Sequence, residues 1–295
     1  MKLFFSLLVT ATLLVTGYTQ AEQAWLKPYV MVKQAEGTIA EQAQQTRAAL
    51  EAGGFEVVGE YQPYAAASVL IATNAALRKA AAGSEFGGYG SGIRVAMTQQ
   101  GGKVQVSYVN PAWMAASYHF KGDLAEVSQQ LSAALGAGQF FGAEDPGWKA
   151  DQLDEFHFTV FMPYFDDHVE LAEHDSYDTA VKVVEAGLAA GKGGTSKVFR
   201  IDVPGKKETL FGVALNEKSG VAGDAHIMGL IDNTELKQTA HLPYGILVSG
   251  GNIYAQHAKF RIANNFPDLD MSTFFKISDA PDAIEEALKM VATGK

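Results

Sequence analysis

Cysteine is absent from all 295 residues. That excludes disulfides, thiolate-held zinc and iron–sulfur centres, thiol nucleophiles and covalent haem attachment. Positive charge is scarce as well: 23 Lys and Arg stand against 33 Asp and Glu, for a formal net charge of −10. Such a chain has no general attraction for a phosphate backbone, so nucleic acid is not an expected partner. Beyond the N-terminus no apolar run reaches the about 20 residues that a membrane-spanning helix needs. What is present is a globular balance, 47% hydrophobic and 19% charged. It suffices for a proper core and for one large or two ordinary domains.

The N-terminus opens with Met1-Lys2, continues through an apolar run from Leu3 to Val15, and reaches small residues at Thr19 and Ala21. A positive start, a short apolar region and small residues before the cut define a signal peptide over residues 1–21. The mature chain is therefore expected to be soluble in a periplasmic or secreted compartment. No cysteine follows the cut to carry a lipid anchor.

The rest reads as one pattern written twice. Thr38 and Glu41 form a capping box, and Ile39, Ala43, Thr46 and Leu50 share one helical face. Tyr177, Val181, Val184 and Leu188 repeat those four positions at a constant spacing, behind Ser176. Gly92-Ile93-Arg94-Val95 and the turn Gly101-Gly102 then reappear as Gly245-Ile246-Leu247-Val248 and Gly250-Gly251. Both read as strand, glycine turn, strand. Pro111 is matched with Pro267, and each half closes on a helix, one through Val127 and Leu131, the other through Ile284 and Leu288. Strands are expected near Tyr29 to Lys33 and His157 to Met162 at the start of each unit. The expected fold is α+β: two repeated units, each an antiparallel or mixed sheet with helices on one face, packed as an intramolecular pseudo-dimer. The units cover residues 22–141 and 156–295, joined by a Gly-, Asp- and Pro-bearing linker over 142–155.

Gly92-Ile93-Arg94-Val95-Ala96, the Gly-Gly turn and Val106-Ser107-Tyr108-Val109-Asn110-Pro111 resemble the signature stretch of the family known as domain of unknown function 302. The resemblance covers about residues 36–136, and the second half looks like a diverged copy. It implies a compact α+β domain that pairs with a second copy, and it implies no activity.

Candidate chemistry falls in three places. Asp166-Asp167-His168 and Glu173-His174-Asp175 gather carboxylates and imidazoles, and Asp224 and His226 add two more groups of metal-binding type, though none has a recognised ligand spacing. His241 and His257, if they face each other across the second hairpin, are candidates to ligate a metal or a non-covalent haem. Arg94, Tyr108 and Asn110 in the first half and His241, His257 and Arg261 in the second are the expected lining of a cleft where the hairpins meet, with Arg261 suited to a carboxylate. The Gly83–Gly92 loop has the glycines of a phosphate cradle but enters a strand rather than a helix, so it reads as a flexible connection or a lid. No Gly-x-Ser-x-Gly elbow and no His-Glu-x-x-His motif occurs. The leading reading is a non-enzymatic accessory protein that binds a small ligand or a periplasmic protein. A metal or haem protein and an enzyme of another type stay open beside it.

Overall fold

A computed structural model of the chain describes residues 24–294; the expected signal peptide lies outside the described residues. The first half contains β1 (Tyr29–Ala35), α1 (Ile39–Ala52), β2 (Glu56–Tyr61), β3 (Ala67–Thr73), α2 (Ala75–Gly83), β4 (Ile93–Gln100), β5 (Lys103–Val109), α3 (Pro111–Ser117), α4 (Ala125–Leu135) and β6 (Gln139–Phe141). After α5 (Ala150–Asp154) come β7 (Val169–Glu173), α6 (Tyr177–Ala189), β8 (Thr195–Asp202), β9 (Glu208–Leu215), α7 (Asp224–Ile231), β10 (Tyr244–Ser249), β11 (Asn252–Ala255), α8 (Ala258–Asn265), α9 (Met271–Phe275) and α10 (Ala280–Thr293). The fold is α+β, with two antiparallel sheets ordered β2-β3-β4-β5-β1-β6 and β7-β11-β10-β9-β8. Each half thus runs second, third, fourth, fifth, first in its sheet, and β6 adds a strand to the first sheet alone.

Local chemistry sets the elements. The Thr38 hydroxyl accepts from the Glu41 amide at 3.2 Å while the Thr38 amide donates to Glu41 Oε2 at 2.7 Å, so α1 starts on the expected capping box. It buries Ala43, Thr46 and Leu50, and α6 buries Val181, Val184 and Leu188. Gly101 and Gly102 take φ of +58° and +82° to close the β4–β5 hairpin, a conformation that a Cβ would strain.

Strand alternation decides which half each side chain meets. Val95 pairs with Tyr108 and Val30 with Tyr108 across β4, β5 and β1, so these three share one face. Thr98 and Gln105, also a pair, point the other way: Thr98 Oγ1 donates to Thr239 Oγ1 at 2.9 Å, and Gln105 exchanges bonds with the Lys237 backbone at 2.7 and 2.9 Å. That second face is the one turned toward residues of the second half. Ile71, Ile201, Leu210 and Leu247 belong to one buried cluster spanning both sheets.

Three expectations are corrected. Residues 157–162 form no strand; they run as turns before Pro163, and β7 takes the place beside β11 instead. Pro111 and Pro267 are not counterparts: Pro111 opens α3, whereas Pro267 follows the end of α8. The Gly83–Gly92 loop is neither flexible lid nor open connection. Gly87 to Gly90 are buried, the Gly88 amide donates to Glu208 Oε1 at 2.7 Å, and a Cβ on Gly88 would lie 2.5 Å from Leu247 Cδ1. Only a glycine lets this turn plug into the second sheet.

Candidate functional site

Of the six residues expected to share a cleft, five divide between two places and His257 lies in neither; strand alternation is what parts Arg94 from Tyr108. Tyr108 lies on the face with Val30, and both line a groove with α3 and α4. Arg94 precedes Val95 by one residue, so it points to the opposite face, into the seam between the halves.

In that seam Arg94, His241 and Arg261 are all buried. Arg261 Nη2 donates to the carbonyls of His241 and, at 2.7 Å, Pro243, its Nη1 reaches Gln256 Oε1 at 3.4 Å, and its guanidinium lies 5.0 Å from the Tyr244 ring centre. Helix α8 carries Arg261, Asn264 and Asn265 on one face. Trp113 Nε1 donates to Asn264 Oδ1 at 3.2 Å, and the Tyr29 hydroxyl donates to the Asn265 carbonyl at 3.1 Å. Burial, then the charge of Arg261, pushes Arg94 down to about 10. Burial, followed by both arginines, holds His241 well below the usual histidine range, so its imidazole is neutral.

The groove, of about 1210 Å³, is the second place. Ala112, Ala115 and Ala116 form its floor along α3, Val30 and Tyr108 its wall, and Ser128 and Ser132 of α4 its far side. Asp123, Asp151 and Asp154 stand exposed at its edge, and among the described residues no Lys or Arg lines it. His119 closes one end, with Nε2 at 2.8 Å from the Asp154 carbonyl and Nδ1 at 3.2 Å from Asp166 Oδ1. Asn110 belongs to this place as scaffold. Its Oδ1 accepts from the Ala112 amide at 3.1 Å to cap α3, and its Nδ2 donates to the Lys27 carbonyl at 2.8 Å.

The metal and haem candidates do not converge. His257 does not face His241: it caps α8 at the surface, with Nδ1 at 3.3 Å from the Lys259 amide and 3.1 Å from Glu285 Oε1, while His241 is enclosed in the seam. The β10–β11 hairpin ends before both residues, so it cannot oppose them. His168 sits among the rings of Phe86, Phe165 and Tyr89, at centroid distances of 4.2, 5.0 and 5.4 Å, and burial pushes it down to about 4. His174 Nε2 lies 2.9 Å from the Ala292 carbonyl, and His226 is exposed on α7. Asp224 is buried, bonded to the Tyr61 hydroxyl and, at 2.9 Å, to the Leu215 amide; burial pushes it up to about 7. Among the described residues no three His, Asp or Glu side chains gather as a metal site.

Sequence reading missed Gln256 and Asn265, whose polar character carries no positional signal until α8 is placed against the first half. The groove had a signal, the small residues Ala112, Ala115 and Ala116 at helical spacing. No protein-family model, curated protein or solved structure matches the chain.

Proposed function

We propose that the chain is an exported, soluble binding protein without catalytic activity of its own, which holds a small amphiphile in the groove of its first half. The observation that carries this is the groove itself: about 1210 Å³, concave, mostly apolar, with a few polar groups, as small-molecule sites are. Its edge specifies the ligand's head. Three carboxylates and, among the described residues, no lysine or arginine favour an apolar body ending in an amine.

The scaffold in this reading is a duplicated unit, related to the domain of unknown function 302, in which the second copy supports the first. Support comes from the shared strand order of the two sheets. It comes also from matching helix starts, with Asn110 and His257 both capping through the amide two residues on, and Trp113 and Phe260 both at the third helical position.

Isothermal titration of the mature protein with dodecylamine and with dodecanoate tests the ligand class. Saturable binding of the amine, at least about tenfold tighter than the acid and weakened about tenfold in Ala116→Phe, is the expected result; each tenfold is about 1.4 kcal/mol. Equal, non-saturating uptake of both, unchanged in the variant, overturns the reading.

A further inference from the structure

We infer that the seam between the two sheets encloses one small oxyanion, accepting hydrogen bonds from Arg94 and Arg261. This site is separate from the groove and does not depend on what the groove binds.

The argument starts from donors without acceptors. Arg94 Nε, Arg261 Nε, Gln256 Nε2 and Asn264 Nδ2 are buried and have no hydrogen-bond partner, and His241 Nδ1 is in the same state. Four of these five are N–H donors whatever the protonation or tautomer, and Gln256 and Asn264 lie on the same short stretch as Arg261, at the start and along α8. The buried acceptors Asp224 Oδ1 and Gln238 Oε1 also lack partners, and none of the four donors is bonded to either. Buried polar groups in folded proteins are almost always paired, so the four N–H donors call for an acceptor of their own.

Charge points the same way. Among the described residues no carboxylate forms an ion pair with Arg94 or Arg261. The buried acids nearest in the network bond other groups: Asp224 Oδ2 accepts from Tyr61 and Leu215, leaving Oδ1 without a partner, and Asp232 accepts from the Gln238 amide at 3.0 Å. Burial pushes both up, to about 7 and about 6, so neither supplies a full negative charge at neutral pH. Tyr29, Tyr244 and His241, which surround the arginines, are neutral. Water would accept the bonds without balancing two enclosed guanidinium groups, and an uncompensated buried charge is among the most destabilising features a fold can hold. Arg261 offers Nε alone, since both its Nη atoms are bonded to His241, Pro243 and Gln256. Guanidinium and amide N–H donors together match the oxygens of a carboxylate, sulfate or phosphate, which sets the ligand class.

The site has no route to solvent through its own residues, all of which are 6% exposed or less. The ion is therefore taken up as the halves close and exchanges slowly. The test follows from that. The mature protein is dialysed into chloride buffer, unfolded in guanidinium chloride, and the filtrate analysed by ion chromatography. Portions are also refolded in chloride alone or with sulfate, phosphate or acetate at fixed ionic strength. The expected result is about one equivalent of oxyanion released, and a melting temperature higher by several degrees, saturably, after refolding with at least one probe. Arg94→Met should lie at or above the wild type in chloride and below it with that probe. If this variant fails to fold, Arg94→Lys, which keeps charge without the fork, should need about tenfold more anion for the same rise. Release below a tenth of an equivalent from every wild-type preparation, with no rise over chloride, overturns the inference. So does an unchanged anion response in the arginine variant that folds.

Discussion

Helices α3 and α8 begin alike and then part. Each follows the last strand of a hairpin, each is capped by a side chain accepting the amide two residues on, and each places a buried aromatic third, Trp113 or Phe260. The fourth residue is Met114 in one and Arg261 in the other; the fifth is Ala115 against Ile262. The small residues of α3 leave the groove open beside α4. In α8 the bulkier Ile262 is fully buried, and α10, at 14 residues longer than the 11-residue α4, lies over that region. One helix leaves space beside it and the other fills it, and the polar face of α8 is turned to the seam.

Exchanging residues between the two helices probes that difference most directly. Arg261→Met gives α8 the residue of α3 and should be the most damaging change. It strips the His241 and Pro243 carbonyls of their donor, and a buried group left without its hydrogen bond costs about 1–3 kcal/mol. The midpoint of urea unfolding should fall accordingly, with the slope unchanged; a loss under about 1 kcal/mol would show that the seam does not lean on this arginine. The reverse exchange, Ala115→Ile, fills the groove floor. Overpacking costs about 1–3 kcal/mol, and amine binding should drop at least tenfold in calorimetry; intact binding would move the ligand away from α3.

The smallest expected effect concerns Asp224. Its native pKa is raised by burial to about 7, so the folded state holds the proton more tightly than the unfolded chain does. The stability this contributes is complete below the ordinary carboxyl range and is lost as pH rises toward 7. Asp224→Asn should flatten that part of the melting temperature against pH profile between pH 4 and 7. Retention of the full slope would assign it to Asp232, which burial pushes up to about 6.

Much of the fold was legible because periodicity and turn chemistry act locally. The capping box of Thr38 and Glu41, the helical faces of α1 and α6, and the glycine turn of the first hairpin all depend on neighbours within a few residues. The first strand of the second half was misplaced because residues 157–162 alternate convincingly, and only competition for the edge of β11 rejects them in favour of β7. The site was half legible. Arg94, His241 and Arg261 do meet in the seam, whereas Tyr108 and Asn110 belong to the groove, and His257 to neither. Separating Arg94 from Tyr108 required the β4–β5 register, since a one-residue shift reverses which face each occupies. The closed state of the Gly83–Gly92 loop was illegible because its partners, Glu208 and Leu247, are distant in sequence.

The ends of the two sheets differ in how they meet the outside. The first sheet finishes on β6, three residues long, and the second on β7, which carries Glu170 and Glu173 outward. A short terminal strand and a negatively charged one both offer poor templates for a stranger's backbone. For a protein rich in β-structure, this discourages chains from zipping together into fibres while they are crowded and still maturing.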